Sequence, residues 1–511
     1  MTAAASESTP LERGLITVSI MLATIMQALD TTIANVALPH MQGTMSATQD
    51  QISWVLTSYI VAAAIMTPPT GVLASRLGRK RLFVIMVTGF TITSMLCGAA
   101  NSLSEIVLYR ILQGMFGAGL VPLSQAVLLD TYPTEKHGSA MAMWGMGVMV
   151  GPILGPTLGG YLTEMYNWRW VFYINLPFGI LALLGILAFV PETTRDRARH
   201  FDFFGFALLS LAIGSLQLML DRGHSEDWFS SSEIIIEAVV AALCLYMFLV
   251  HMFTAKRPFI DPKLFMDRNF AVSLLLIFMI GVILLATLAL LPPFLQNLMD
   301  FPVLITGYAL APRGIGTMIA MMIVGRLVGR MDTRLLILTG IALTALSLWE
   351  MSRFTTEVPI ATIVWTGITQ GLGLGFIFVP LSTLAFSTLA PHFRNEGTAM
   401  FSLMRNIGSS IGISIVFTML SHNTQINHAT MAELMNPFRD AMQRPWLPEA
   451  WNWNTTSGAV ALNAEITDQA STIAFLNDFT AMMWVMILAA PLLLLLKKAP
   501  KRASSELAVP E

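Results

Sequence analysis

Asp30 interrupts the apolar run LITVSIMLATIMQALDTTIANVALP (15–39), about halfway along it. A charge in such a run costs about 2.5–3.5 kcal/mol on insertion scales and marks a functional position by default. A carboxyl withdrawn from water is a group whose proton can be bound and released as its surroundings change. Gln27 is three residues earlier and shares its helical face. The plainer alternative is a structural pair with a backbone or basic partner. Arg110 stands in another apolar run, 105–128, and Gln113, Gly114 and Gly117 follow at helical spacing. The glycines let a neighbouring backbone approach. Arg110 is therefore expected at a close helix contact facing the interior, where a structural hydrogen-bond hub is one reading.

In the run 139–162, Gly147, Gly151, Gly155 and Gly159 recur every four residues. They make a smooth stripe for tight helix packing. Pro152 and Pro156 each remove a backbone hydrogen bond and bend the helix. A bent, smooth helix can rock against its neighbour. Farther along, Arg313 lies mid-run between Pro312 and Gly314, and Arg405 opens a polar patch with Asn406, Ser409 and Ser410. Arg313, Arg405 and Asn406 are candidates for a substrate cavity, together with Gln27, Asn35, Gln113, Trp144 and Gln370. Each of the two arginines has a structural reading as well. Asp221 and Glu350 fall near the ends of runs, where solvation is cheap, and rank lower.

Other patterns exclude chemistry. GSSIG (408–412) fits the hydrolase pattern G-x-S-x-G, but that motif needs a strand–turn–helix and here lies inside an apolar helix. There is no G-x-x-x-x-G-K-[ST] loop, no H-E-x-x-H and no paired-cysteine motif. A polytopic membrane enzyme would need a His/Asp or Ser/His cluster at the membrane face, and none stands out. No metal and no cofactor are expected, and the energy must come from an ion gradient unless transport is passive. Cys97 and Cys244 read as small core residues. The 34 methionines are scattered, and a few suit a pliable pocket.

The elements that hold these residues follow from composition. Fifty-five per cent of the 511 residues are apolar and 12% are charged, against roughly 25% charged in a soluble protein. That excludes a soluble enzyme of this size and a disordered chain. The net charge of −2 suggests no nucleic-acid partner. A bilayer core needs about 20 apolar residues per helix, and fourteen segments meet that length, 203–221 being the weakest. The last two, 399–421 and 477–496, flank an external loop of 422–476 that carries Trp446, Trp451 and Trp453. That loop reads as a solvated cap or as a docking surface. The opening MTAAASESTPLERG has no cleavable signal pattern, so the first span is expected to be retained.

Charge sets the orientation. With a cytoplasmic N-terminus, 21 of the 29 Lys and Arg fall inside, among them Arg195, Arg197, Arg199, Lys498, Lys501 and Arg502. Five fall outside: Arg169, Arg222, Arg353, Arg439 and Arg444. Both ends are therefore expected to be cytoplasmic.

GVLASRLGRKRLF (71–83) follows the second span, and a weaker echo, GRLVGRMDTRLLI (325–337), follows the tenth. Such repetition is what transporters built from parallel halves show. Spans 1–6 and 9–14 form the expected halves, within 1–190 and 270–511, and two inserted helices lie in 191–269. Glycine permits the tight turn, and Arg76, Arg79 and Lys80 meet anionic lipid or helix C-termini. They either latch one conformation or simply anchor the loop.

GVLASRLGRK, with Gly71, Arg76, Gly78, Arg79 and Lys80, resembles the loop signature of the major facilitator superfamily. LYRILQGMFGAG (108–119) looks like its fourth-helix motif, and WGMGVMVGPILGPTLGG (144–160) like its antiporter motif. LDTTIANVALP (29–39) and WRWVFYINLPFG (168–179) are similar to signatures of the fourteen-helix drug:proton antiporters of the EmrB/QacA type. The family loop usually has an acid where this chain has Ser75. The resemblance implies an all-α polytopic membrane protein with a major facilitator fold: two six-helix halves plus two inserted helices. It implies a bacterial inner-membrane exporter of amphipathic or hydrophobic toxins, driven by protons through Asp30 and Arg110. It also implies that the helix-5 motif seals the path between the halves. Small-molecule drugs, protons and membrane lipid are the implied partners, and some members add a periplasmic adaptor and an outer-membrane channel. The rival reading is transport of one metabolite, such as a siderophore or an amino acid.

Overall fold

The computed structural model describes residues 9–193, 201–435, 451 and 455–497. Arg195, Arg197, Arg199, Arg439, Arg444, Trp446, Trp453, Lys498, Lys501 and Arg502 lie outside them. Among the described residues, fourteen helices are long and apolar enough to cross a membrane. We number them α1 Pro10–Met45, α2 Gln51–Leu77, α3 Arg79–Ala99, α4 Leu103–Thr131, α5 Thr134–Met165, α6 Trp170–Phe189 and α7 Phe203–Arg222. The remainder are α8 Ser232–Thr254, α9 Arg268–Leu298, α10 Ile305–Leu327, α11 Thr333–Met351, α12 Ile360–Ser387, α13 Pro391–Leu434 and α14 Thr456–Leu495. Backbone groups in lipid must pair within their own segment, so apolar runs of this length become helices. The segment 203–221 is a full helix with Asp202 as its N-cap.

The pairings repeat. In α1–α6, α1 packs on α5, α2 on α4, and α3 on α4 and α6. In α9–α14, α9 packs on α13, α10 on α12, and α11 on α12 and α14. The two echoing loops bend alike: Gly78 and Gly329 both adopt φ of 90°, a left-handed region that side chains avoid. The inserted helices α7 and α8 pair with each other, and α7 lies against α2 and α13.

With fourteen spans, both described chain ends lie on one face of the bundle, called here the terminal face. The two sets of helices meet through α5 with α10 and α2 with α13. Near the terminal face a Cβ on Gly138 would strike Val328, at 2.7 Å. One on Gly325 would strike Ala142, and one on Gly145 would strike Met321. Toward the opposite face the contact thins, and Gly307 has only the Thr157 hydroxyl, 3.9 Å away. Asn35, Leu154, Pro156 and Thr157 are exposed there.

One expectation needs correction. The loop of 422–476 is largely helix, because α13 continues to Leu434 and α14 starts at Thr456. The extensions pair: Asn427 Nδ2 donates to the Ala470 carbonyl at 3.3 Å, and His428 Nε2 meets Asn463 Oδ1 at 3.0 Å. The hydropathy that marks a span ends where the bilayer ends, whereas good helix formers carry the helix on into water.

Candidate functional site

Asp30 has no solvent exposure. Its side chain leaves α1 into the interior of the first six helices and is held from three sides. Arg110 Nη1 of α4 donates to Oδ2 at 2.7 Å. Gln113 Nε2, one turn along α4, donates to Oδ1 at 2.8 Å. Asn175 Nδ2 of α6 also donates to Oδ1, at 2.9 Å. Each donor is anchored in turn. Arg110 Nε donates to the Val55 carbonyl of α2 at 2.9 Å, and Nη1 also donates to Gln113 Oε1 at 2.8 Å. Asn175 Nδ2 reaches Ser94 Oγ of α3 at 2.9 Å, and that hydroxyl donates to the Phe172 carbonyl at 2.9 Å. Buried charge is tolerated when it is paired and hydrogen-bonded, and this carboxylate is both.

Small residues make the network possible. A Cβ on Gly114 would collide with the Tyr59 carbonyl, so α2 comes close enough to α4 for its backbone to serve Arg110. The Tyr59 ring covers the Arg110 guanidinium, 4.1 Å from its centroid, and its hydroxyl takes a hydrogen bond from Gln27 Nε2 at 3.4 Å. The glycine stripe of α5 faces α1. A Cβ on Gly151 would meet the Ala28 carbonyl group, and one on Gly155 would meet Thr32. Thr32 Oγ1 donates to the Gly151 carbonyl at 3.1 Å. The stripe thus lies inside the first six helices, two residues from Asp30. The contact with the second set comes from another side of α5, where Gly138, Ala142, Gly145 and Ile153 meet α10.

The other cavity candidates separate. Asn35 is exposed. Trp144 is fully buried, donates from Nε1 to Ser124 Oγ at 2.7 Å and stacks on Phe378 of α12 at 5.8 Å. In this conformation Trp144 belongs to the closed base between the two sets rather than to an open wall. Arg313 is buried; its Nη2 donates to the Leu284 carbonyl at 3.2 Å and its Nη1 has no partner. Gln370 is buried and reaches Thr287 Oγ1 at 3.4 Å. Arg405 and Asn406 are half-buried on α13.

A second cluster closes the terminal face. Arg79 pairs with Asp130 at the end of α4, and Arg394 of α13 pairs with the same carboxylate at 2.6 Å. Arg79 Nε also donates to Asn395 Oδ1 at 2.6 Å, and Asn395 Nδ2 donates to Ser75 Oγ at 3.3 Å. A Cβ on Gly71 would lie 2.9 Å from the Asn395 carbonyl oxygen. The acid absent at Ser75 is thus supplied by Asp130, and Ser75 joins the latch through Asn395. Lys80 Nζ holds the Leu187 carbonyl at 2.7 Å, and Arg76 is exposed. Sequence reasoning missed Asn175, Asp130 and Asn395 as site residues, although Asn175 lies within the matched signature 168–179.

Residues 20–413 match the model of the Major Facilitator Superfamily. The multidrug export protein EmrB of Escherichia coli K12 is 38% identical over 431 residues, covering 84% of each chain. The probable multidrug resistance protein EmrY of the same strain is 33% identical and covers 95% of each. The crystal structure of the human organic anion transporter MFSD10 shares the fold, with a TM-score of 0.59 at 14% identity over 94% of this chain and 100% of that one.

Proposed function

The chain belongs to the major facilitator superfamily, and on that premise we propose that it exports several kinds of amphipathic toxic compound across the bacterial inner membrane in exchange for protons. The observation that carries this reading is the Asp30 carboxyl: fully withdrawn from water, yet linked to α2, α3, α4 and α6 by one network. A structural ion pair alone needs no such reach. When Asp30 takes a proton, its attraction for Arg110 weakens, and Gln113 and Asn175 lose a charged acceptor. Charge-assisted hydrogen bonds are roughly twice as strong as neutral ones, so the network loosens. α1 can then shift along the glycine stripe of α5, and the bias passes to the contact between the halves.

The Arg79–Asp130–Arg394 cluster holds the terminal face shut, and that face must open for the cycle to complete. The positive-inside rule assigns it to the cytoplasm, and exposed Arg76 suits anionic headgroups. Drugs would enter between the halves, where scattered methionines could adapt to varied shapes. The paired extensions of α13 and α14 are the surface that would receive a periplasmic adaptor leading to an outer-membrane channel.

The decisive experiment is drug-induced proton movement in liposomes with an imposed pH gradient. Asp30→Asn keeps a hydrogen-bond acceptor for Arg110 but removes its counter-charge, so the variant should reach the membrane with lowered thermal stability while proton release on adding drug is lost. Full coupling in that variant would remove Asp30 from the mechanism. Protection of cells against one compound only, across a drug panel, would favour a dedicated metabolite carrier. Co-purification with an adaptor, lost on deleting 430–465, tests the partner.

A further inference from the structure

The second set of helices repeats the packing around Asp30 but not its pairing. Gln113 precedes Gly114, against which the α2 backbone presses at the Tyr59 carbonyl. Gln370 precedes Gly371, against which the α10 backbone presses at the Arg313 carbonyl. Both glutamines have no exposure. In the first set the neighbouring α1 and α6 bring Asp30 and Asn175 to the glutamine. In the second set α9 brings Thr287, and α14 carries a carboxyl of its own, Asp478. Thr287 Oγ1 donates to Met482 Sδ at 3.8 Å, and Met482 is one helical turn from Asp478 on the same face of α14.

Asp478 has no solvent exposure, and neither of its carboxyl oxygens has a hydrogen-bond partner. It takes part in none of the ion pairs among the described residues. α14 packs on α9, α11 and α13. The charged or titratable groups there are Arg268 on α9, Arg334, Glu350 and the Arg353 that follows α11, and His392, Arg394, Glu396, Arg405, His422, His428 and Glu433 on α13. None of them forms a hydrogen bond or an ion pair with Asp478. Asp478 lies about 25 Å along α14 from its end at Leu495, toward the far boundary of a hydrocarbon core about 30 Å thick, yet the surrounding helices seal it from solvent. An uncompensated carboxylate is strongly disfavoured at such a site. These are the surroundings of a neutral acid, and the anion would need different ones.

We propose that Asp478 is a second proton-carrying carboxyl, set in the α9–α12–α14 cluster of the second half and independent of Asp30. In the conformation described here it holds a proton. Loss of that proton requires the cluster to admit water or a cation, so deprotonation is tied to movement of α14 against α9, which carries the Thr287 link to Gln370. The orphan Gln370 Oε1 beside Thr287 is an acceptor the cluster has not yet used. This rests on the proton-exchange reading only for its role in transport; the protonation itself does not.

Infrared difference spectroscopy on the full chain in liposomes tests the proposal at neutral pH. Wild type should show the carbonyl band of a protonated carboxylic acid, shifted in deuterated water, retained in Asp30→Asn and absent from Asp478→Asn. The number of protons released per molecule of ethidium should fall about two-fold in Asp478→Asn, from two titrating carboxyls to one, with ethidium affinity unchanged. A spectrum of Asp478→Asn that superimposes on wild type overturns the proposal. An unchanged proton count in a variant that has lost the band also overturns the second carrier and leaves a fixed neutral acid. If wild type releases no proton at all, the exchange reading fails and takes the transport role of Asp478 with it, while the band still reports the neutral acid. Should Asp478→Asn not fold, Asp478→Glu replaces it: the band then moves but persists.

Discussion

Arg110 Nη1 lies 2.7 Å from Asp30 Oδ2, and neither side chain is open to solvent: their exposures are 1% and 0%. Removing one partner of such a pair is expensive because the other is left as an uncompensated buried charge, about 3–5 kcal/mol. Arg110→Ala should therefore lower the thermal stability of the purified protein sharply. The double variant Asp30→Asn/Arg110→Gln removes both charges and should regain most of the loss while remaining inactive in transport. Thermal unfolding followed by size-exclusion chromatography checks both; equal stability of the two variants would show that the pair is not energetically coupled.

Asn175 bridges Asp30 and Ser94 and so joins α6 and α3 to the carboxyl. Asn175→Ala leaves a buried carboxylate short of one donor, a loss of about 1–3 kcal/mol. Lower stability is expected, and, on the proposed exchange, at least partial loss of ethidium-driven proton movement. Wild-type flux in everted vesicles would place Asn175 outside the working network.

The α5 stripe separates positions that differ only in what they face. A Cβ at Gly151 would enter the Ala28 carbonyl group, whereas one at Gly160 meets nothing within 4 Å. Gly151→Ala should abolish flux by pushing α5 away from α1, and Gly160→Ala should leave it intact. Matching activities in the two variants would show that the close α1–α5 contact is dispensable.

Asp130 receives Arg79 from one half and Arg394 from the other. Asp130→Asn should weaken the latch and open the terminal face. In a V328C background, whose site abuts Gly138 at the closed seam, labelling by a water-soluble maleimide should rise several-fold. Both native cysteines, Cys97 and Cys244, are buried and contribute little background. Unchanged labelling would show that the latch does not control this seam.

Asp202 caps α7 from just outside the membrane-spanning segment. Its carboxylate accepts from the backbone N–H of Gly205 at 2.9 Å and of Phe259 at 3.0 Å, and meets His251 Nε2 at 2.8 Å. Burial works against the charge, but these partners outweigh it and hold the carboxyl below its usual range. A depressed carboxyl contributes stability above its unfolded value, about 3.9, and that contribution fades as pH falls through the folded value. Hydrogen-exchange protection at the start of α7 should therefore drop below about pH 4 in wild type. In Asp202→Asn it should be lower at neutral pH and lack this step.

Much of the fold was legible because lipid leaves a chain few choices. Fourteen runs became fourteen helices, and the echo between 71–83 and 325–337 became two loops with the same glycine turn. Asp30, Arg110 and Gln113 were legible for the same reason: a polar group in an apolar run is costly and needs a purpose. Asp478 was not legible, because hydropathy starts the last span at 477 and an acid at 478 reads as a solvated end. Packing alone buries it: α14 runs on from Thr456 and its neighbours cover the side chain.

Amino-acid order alone thus determined the helices, their number and the residues too costly to be incidental, since these depend on local hydropathy and spacing. Only the folded chain decided the partners. Asn175 meets Asp30, Asp130 meets Arg394, and the α5 glycines turn to α1 rather than across the seam. Such pairs come from distant segments, and their geometry depends on how helices pack, which no local pattern records.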